Sequence, residues 1–190
     1  MRITGGEFGG RNLKVPKSDA IRPTQDRVRE ALFNIIQFEV AGSDFLDLFA
    51  GSGAVGLEAL SRGAKSATFV ESDRRHIAVL KENVDFLCRP RPSTSTSLFA
   101  ADADRWISSY SGPGFTIGFA DPPYALGEEK GYASVLSTLA ERGVIRPSGL
   151  FIAEMTAVQK AEGTPGWELV RDRTYGKTRI CIWRRAENES

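Results

Sequence analysis

The sequence has few of the residues on which covalent and metal chemistry usually depends. Its two cysteines, Cys88 and Cys181, belong to no Cys-x-x-Cys or mixed Cys/His pattern, and His76 is the single histidine. Disulfide frameworks and structural zinc sites need clustered cysteines or histidines, and a Ser-His-Asp triad needs a suitably placed histidine. We therefore expect no disulfide, no bound metal and no serine-type nucleophilic catalysis.

Long hydrophobic runs are also missing. No apolar stretch approaches the roughly 20 residues of a membrane-spanning helix, and the first ten residues, MRITGGEFGG, lack the apolar centre of a signal peptide. The chain has 190 residues, of which 41% are hydrophobic and 26% are charged, as in ordinary folded soluble proteins. We expect a cytoplasmic protein with one α/β domain, at most a small extension, and no membrane partner.

Charge is unevenly distributed along the chain, although the net charge is only +1. Residues 1–36 carry seven Lys/Arg and four Asp/Glu, residues 37–170 carry twelve and seventeen, and residues 171–185 carry six and one. Basic ends around an acidic centre favour a polyanion at the ends and a cationic small molecule in the middle. The alternative is that these charges only solvate the surface.

Strands and helices alternate from about residue 45 onward, judged by apolar periodicity and turn residues. Such repetition predicts a parallel sheet that is covered by helices on both faces. The predicted strands are 45–50, 66–71, 97–101, 115–120 and 150–155, and the predicted helices are 53–63, 74–87, about 104–110 and about 130–142.

Both terminal segments depart from this alternation. WELVRDRTYGKTRICIW predicts an antiparallel hairpin that turns near Gly176, with Ile180 and Ile182 alternating against Arg179 and Cys181. RITGGEFGGRNLKV predicts a glycine-rich hairpin at the front of the chain. A helix follows it, with Thr24 as N-cap and an apolar stripe formed by Val28, Leu32, Ile35 and Ile36.

The segment Gly51-Ser-Gly-Ala-Val-Gly56 follows a predicted strand and opens a predicted helix. Glu71 comes 20 residues after Gly51, at the end of the next strand. This arrangement is typical of dinucleotide-binding turns, in which glycines allow a tight turn and the acid binds a ribose hydroxyl. The alternative is a turn that only lets a helix pack closely on a strand.

Carboxylates stand at or near the ends of four successive predicted strands, and these ends converge on one crevice in doubly wound sheets. A pyrophosphate would be repelled there, whereas S-adenosylmethionine (SAM) offers an ammonium, a sulfonium, a ribose and an adenine. We expect Asp47 near the amino acid, Glu71 on the ribose and Asp102 on the adenine amine; Asp104 is interpreted as a cap or surface residue. The full predicted cofactor-binding set is Asp47, Phe49, Gly51, Gly53, Glu71, Asp102 and Ala103.

The fourth acid opens the tetrapeptide Asp121-Pro122-Pro123-Tyr124, which ends the apolar run FTIGFA. Two consecutive prolines make the segment stiff and leave its carbonyls free to accept hydrogen bonds. Asp121 and the Pro122 carbonyl can bind the two hydrogens of an exocyclic amine, and Tyr124 can stack on the base. The alternative is a rigid turn between a strand and a loop.

The segments DLFAGSGAVGLEALSRGA, FVESD, ADA and DPPY resemble the ordered motifs of class I SAM-dependent amino-methyltransferases. RITGGEFGGRNLKVP and IRPTQDRVREALFNII resemble more narrowly the RsmD family, which methylates guanine N2 in bacterial 16S ribosomal RNA. The resemblance runs from residue 2 to about residue 185. It includes the closing YGKTRICIWRR.

This resemblance implies a Rossmann-like α/β fold, a seven-stranded, mostly parallel sheet whose last strand is antiparallel. It implies a small N-terminal hairpin and helix extension, assigned to residues 1–40, ahead of a methyltransferase domain at residues 41–190. It also implies 16S RNA as partner, within an assembled or assembling small subunit. We expect the protein to be a monomer.

Basic residues near both ends are the candidates for RNA contacts. Phosphate contacts position an RNA and give salt-dependent affinity without selecting a base. Arg27 and Arg29 have an alternative role, because either can pair with Asp26 or Glu30. The predicted RNA-binding set is Arg2, Arg11, Lys14, Arg22, Arg27, Arg29, Lys177 and Arg179.

Three other functions stay open on the sequence alone. DPPY also suits methylation of adenine N6 or cytosine N4 in DNA, although 190 residues leave no room for a separate target-recognition domain. The glycine turn and Glu71 also suit an NAD-dependent oxidoreductase. The basic ends also suit an RNA-binding module without catalysis.

Overall fold

The computed structural model describes residues 1–16, 23–88, 95–122, 132–161 and 163–187. The chain divides into two compact units, Met1–Asp102 and Ala103–Ser190. The predicted boundary near residue 40 stays a prediction. None of the helices in the described part of the chain has both the length and the apolar character of a membrane-spanning segment.

The first unit alternates helices with three parallel strands. Strand β1 pairs with β2, and β2 pairs with β3, so that Asp47 lies opposite Phe69 and Phe69 lies opposite Leu98. Strands β1 and β2 are buried along almost their whole length, which agrees with the large apolar side chains in both. The elements are α1 Pro23–Ile35, α2 Gln37–Val40, β1 Asp44–Leu48, α3 Ala54–Ser61, β2 Ser66–Glu71, α4 Arg74–Cys88 and β3 Ser95–Ala100.

The second unit contains four strands. Strand β4 pairs in parallel with β5, whereas β7 runs antiparallel to both of its neighbours, β5 and β6. The elements are α5 Ala103–Ser109, β4 Phe115–Ala120, α6 Ala133–Glu141, β5 Ile145–Thr156, β6 Trp167–Tyr175 and β7 Thr178–Arg185.

The seven strands of the described residues belong to one sheet, in the order β3-β2-β1-β4-β5-β7-β6. This confirms the predicted seven-stranded, mostly parallel sheet with an antiparallel last strand. The predicted hairpin at Gly176 is also confirmed, since β6 ends at Tyr175 and β7 begins at Thr178. Cys181 is fully buried like Ile180 and Ile182, because β7 has a strand on each side and side chains packed on it.

Strand β5 is longer than predicted, because it begins at Ile145 rather than at residue 150. The intervening Arg-Pro-Ser-Gly sequence has turn composition, and Ser148 has a positive φ of 62°. The pairing of β4 with β5 shifts between Phe115 and Ile117, which accommodates this irregular start. The turn-like composition of this segment therefore predicted a loop, whereas pairing with β4 places it in a strand.

The N-terminal segment folds back on itself as predicted, but with little strand structure. One antiparallel bridge joins Arg2 to Asn12, and Ile3 donates its amide N–H to the Arg11 carbonyl at 3.0 Å. The stripe of α1 is largely confirmed, because Val28, Leu32 and Ile36 are buried. The side chain of Thr24, the predicted N-cap, lies outside the described residues.

A buried glutamate, Glu58 on α3, fixes the N-terminal segment to the rest of the first unit. Its side chain is 0% exposed. It accepts hydrogen bonds from the Thr4 amide and hydroxyl, both at 2.8 Å, and from the Gly5 amide at 2.9 Å. The guanidinium groups of Arg62 and Arg29 donate to it at 2.8 and 3.3 Å. A buried carboxylate is tolerated only with such compensation.

We expect Glu58→Gln to lower the free energy of unfolding by about 3 kcal/mol, the scale of a broken buried ion pair. The amide would turn an NH₂ group toward donors, and it would remove the charge that compensates the buried Arg29. Urea unfolding followed by tryptophan fluorescence measures the change. Glu141→Gln, an exposed substitution at the end of α6, is the control and should stay within about 0.5 kcal/mol of wild type. Equal stability of the two variants would contradict this assignment.

Candidate functional site

The turn between β1 and α3 has an unusual backbone. Phe49, Gly51 and Gly53 all have positive φ angles, of 61°, 56° and 83°. A positive φ in a non-glycine residue such as Phe49 is uncommon and costs roughly 1–2 kcal/mol. Strained residues of this kind concentrate at ligand-binding sites, where the surrounding structure holds them in place.

The Asp47 side chain, on β1, is hydrogen-bonded to the first turn of α3. Its carboxylate accepts a hydrogen bond from the Gly56 amide at 2.8 Å, and its side chain is only 1% exposed. The predicted place of Asp47 near the amino acid of SAM stays a prediction, and in the described residues its carboxylate binds the backbone of α3. Asp47 acts through the glycine turn, by fixing where the helix begins.

Glu71, at the end of β2, accepts three backbone hydrogen bonds. Oε2 binds the Gly51 amide at 2.8 Å, and Oε1 binds the amides of Ser72 and Asp73 at 2.8 and 2.7 Å. The His76 Nδ1 atom lies 3.7 Å from Oε2. Since a carboxylate oxygen has two lone pairs, Oε2 can accept a further hydrogen bond from a hydroxyl. The predicted ribose contact of Glu71 stays a prediction that this geometry permits.

The glycines of the turn serve two different purposes. A Cβ on Gly53 would lie 2.4 Å from Leu80 Cδ1, and a Cβ on Gly56 would lie 2.3 Å from Phe69 Cε1. A Cβ on Gly51 would meet nothing within 4 Å. Close packing, the alternative interpretation of the motif, accounts for Gly53 and Gly56. Gly51 faces open space, with the Glu71 carboxylate bound to its amide.

Asn83, on α4, is a site residue that the sequence interpretation missed. Its Oδ1 accepts from the Lys14 amide at 2.9 Å, while its Nδ2 donates to the carbonyls of Lys14 and Ser52 at 3.0 and 2.9 Å. It thereby joins the N-terminal segment to the glycine turn. A sequence signal exists, because Asn83 follows Leu80 by three residues and so falls on the buried stripe of the helix, where it is 2% exposed.

The third acid, Asp102, lies two residues after the end of β3 and is exposed. Ala103 begins α5 and is 4% exposed. Asp104, in the first turn of that helix, is exposed, which agrees with its interpretation as a surface residue. The adenine contact of Asp102 and the cofactor contacts of Phe49 and Ala103 stay predictions.

Asp121 directly follows β4. It is solvent-accessible, yet the surrounding protein desolvates its carboxylate and raises its pKa to about 6. Burial, with the Asp121 charge as a smaller cause, raises the pKa of Tyr132 above its usual range, so that this hydroxyl stays protonated. Pro122 is half-buried, whereas Pro123 and Tyr124 lie outside the described residues.

Five of the predicted RNA-binding residues are exposed. Two of them, Arg2 and Arg27, line one cavity of about 470 Å³ together with Asp26 and Glu30. Lys14 pairs with Glu82 at 2.6 Å on the surface, an arrangement that contributes little to stability. The exposed set is Arg2, Arg11, Lys14, Arg27 and Lys177.

The RNA-binding prediction for Arg29 is wrong. Its side chain is 5% exposed, and its guanidinium donates to Glu58, to Asp26 at 3.0 Å and to the Arg2 carbonyl. It therefore binds protein groups and has no surface to offer a phosphate. Arg179 is half-buried and held by the Asp172 carboxylate, and its RNA contact stays a prediction. Arg22 lies outside the described residues.

Comparison with known proteins gives consistent matches over nearly the whole chain. Residues 1–184 match the family described as conserved hypothetical protein 95, Cons_hypoth95. The chain is 35% identical to ribosomal RNA small subunit methyltransferase D of Escherichia coli strain K12, covering 100% of this chain and 93% of that protein. The solved structure of yhhF from Escherichia coli has a TM-score of 0.84 at 33% identity and covers 99% of both chains.

A more distant structure shares the fold. SMU.776, solved in complex with SAH, has a TM-score of 0.64 at 19% identity. The match covers 86% of this chain and 50% of that chain.

We expect Gly53→Ala to destabilise the protein more than Gly51→Ala, by about 1–3 kcal/mol, the usual range for overpacking a core. Both substitutions place alanine at a positive φ, but only the first brings a Cβ against Leu80. Urea unfolding of both variants measures the difference, with Gly51→Ala as the matched control. Equal losses would show that the turn is not packed against α4 as described.

Proposed function

The chain belongs to the RsmD family, and from this membership we propose that it is a SAM-dependent ribosomal RNA methyltransferase. The proposed acceptor is the exocyclic N2 amine of a guanine in 16S RNA, within an assembled or assembling small subunit. Family membership supports the activity, and the structural observation that supports the cofactor is the open space at Gly51 beside the accepting Oε2 atom of Glu71.

The residues of the first unit suit SAM better than a dinucleotide. A ribose hydroxyl can donate to Oε2 of Glu71, and the space in front of Gly51 is what a close-lying ligand needs. A pyrophosphate at the same turn would be repelled by the Asp47 carboxylate. This repulsion disfavours the NAD-dependent alternative. When bound, SAM supplies an electrophilic methyl group attached to a sulfonium.

Asp121 and Pro122 are proposed to hold the amine of the target base. The Asp121 carboxylate accepts one N–H and the Pro122 carbonyl accepts the other, which orients the nitrogen lone pair for attack. Transfer forms one N–C bond, breaks one S–C bond whose electron pair stays on sulfur, and releases one proton from the nitrogen. With a pKa of about 6, Asp121 is ionised at neutral pH and is basic enough to accept that proton.

The exposed cations supply the RNA contacts in this proposal. Arg2, Arg11, Lys14, Arg27 and Lys177 are proposed to bind phosphates, which fixes the position of the RNA without selecting a base. The guanine must leave its stack to reach Asp121, as bases do in other enzymes that modify them. Tyr124 and Pro123 are proposed to contact the extruded base.

The direct test uses purified protein, radiolabelled SAM, and either small subunits or naked 16S RNA from cells that lack this protein. We expect label in the RNA and N2-methylguanosine after digestion to nucleosides. Asp121→Asn should lower the single-turnover rate by about 10²- to 10⁴-fold, the usual contribution of a positioned acid or base. SAH affinity should stay near the wild-type value.

Asp104→Asn is the control, and it should transfer methyl groups at the wild-type rate. Absence of label in both substrates would refute the proposed function. Labelled N6-methyladenosine or N4-methylcytidine would identify a different acceptor amine.

The raised pKa of Asp121 predicts a pH dependence. Protonation below about pH 6 removes the negative charge of Asp121 and its capacity to take the proton from the amine, so the single-turnover rate should rise as pH increases from about 5 to 7. Asp121→Asn has no titrating carboxylate and should lose this dependence. Rates measured across this range in both proteins provide the test. A dependence that persists in the variant would assign the titration to another group.

A further inference from the structure

An exposed aromatic ring lies beside a cation on the first unit. Phe86, on α4, is 57% exposed, although most large apolar side chains of the described residues are buried. The Arg11 guanidinium carbon lies 6.0 Å from the centre of the Phe86 ring. It also lies 5.8 Å from the ring of Phe8, which is 1% exposed. Arg11 is therefore within cation–π distance of one buried ring and one exposed ring.

This arrangement is held by a rigid frame. Asn83, one turn before Phe86 on α4, binds both the amide and the carbonyl of Lys14. Phe8 donates its amide N–H to Ser61 Oγ at 2.8 Å, which fixes the other side of the segment. The segment from Phe8 to Lys14 is thus fixed to α3 at one end and to α4 at the other.

The pairing of an exposed ring with cations indicates the chemistry of a ligand. A nucleobase stacks on an aromatic face, with a contribution to affinity that tolerates any base. A guanidinium that packs on a ring through its face keeps its N–H edge for an anion such as phosphate. Lys14, 70% exposed and paired with Glu82 at 2.6 Å, lies in the same segment. An unpaired nucleotide offers both a flat ring that can stack on Phe86 and an adjacent negative charge that can bind Arg11.

Phe38, on α2, gives a useful contrast. It is more exposed than Phe86, at 89%, but none of the cation–π pairs found among the described residues includes its ring. Exposure of a phenylalanine without a cation over its ring does not define a nucleotide site.

We propose that Phe86 and Arg11 form a stacking subsite for an unpaired nucleotide of the RNA substrate, distinct from the target guanine. The base stacks on the exposed face of Phe86, and its phosphate binds Arg11 with Lys14 nearby. The subsite rests on the proposed function, because it assumes that RNA is the substrate. It adds a sequence-tolerant contact that helps hold the RNA while the guanine leaves its stack.

The test compares Phe86→Ala, Phe86→Trp and the control Phe38→Ala in filter binding to protein-free 16S RNA. Phe86→Ala should weaken RNA binding by about 5- to 150-fold, the equivalent of roughly 1–3 kcal/mol per stacked base. Phe86→Trp and Phe38→Ala should bind within about twofold of wild type, since tryptophan also stacks. SAH affinity and unfolding midpoints should not change in any of them.

A second readout reports stacking directly. The three native tryptophans, Trp106, Trp167 and Trp183, are buried, so a tryptophan at position 86 provides an exposed fluorophore. Its emission should be quenched by saturating RNA. Arg11→Ala should also reduce the slope of log affinity against log salt by about 1.

Wild-type RNA affinity in Phe86→Ala, or unquenched emission from Phe86→Trp, would overturn the subsite. So would weaker binding of Phe86→Ala to assembled subunits alone, because that result would assign the surface to a protein partner. Failure of the proposed function is separate, since it is measured as absent methyl transfer by the wild-type protein. The binding and fluorescence readouts need no methyl transfer.

Discussion

The compensation of one buried charge organises the first unit. Glu58 is enclosed in α3, and an uncompensated carboxylate there would not be tolerated. Its hydrogen-bond donors come from the N-terminal segment, from Arg29 on α1 and from Arg62 at the end of its own helix. The N-terminal segment therefore has a fixed position on the first unit. The backbone of the exposed cationic residues that it carries is fixed with it.

The glycine turn is fixed from three sides by polar groups. Asp47 binds the amide at the start of α3, Glu71 binds the amide of Gly51, and Asn83 binds the carbonyl of Ser52. These bonds hold backbone angles that the isolated chain would avoid. The same Asn83 amide binds Lys14, so the turn and the N-terminal segment share one support. A displacement of the glycine turn or of the N-terminal segment would therefore disturb the hydrogen bonds of Asn83, which contacts both.

Local sequence was sufficient for most elements of the fold. The strands at 66–71 and 115–120 have their predicted limits, because each is a short, mostly apolar segment, as buried parallel strands usually are. The beginning of β5 was hidden, since its turn-like residues are held in the strand by pairing with a partner far along the chain. Turn composition is a local signal, whereas strand pairing is not.

The sequence predicted where the residues of the candidate site lie better than it predicted the role of each residue. The order of Asp47, Gly51, Gly53 and Glu71 along the chain placed them correctly at strand ends and in the turn. Sequence did not indicate that Asp47 is enclosed, that Arg29 pairs with Glu58, or that Asn83 joins two segments. Each of these depends on groups that meet only after folding. A cationic residue in a basic stretch therefore indicates a surface contact only if it does not form an ion pair with a buried acid.

The position of β7 has a consequence for synthesis of the chain. It is made after the other strands of the described residues, yet it lies between β5 and β6 and pairs with both. Until residues 178–185 leave the ribosome, β5 and β6 each have an edge without this partner, and Trp183 cannot enter the core. Unpaired edges of this kind favour aggregation. The second unit is therefore completed late, because a nascent chain that ends before residue 178 lacks the strand that joins β5 to β6.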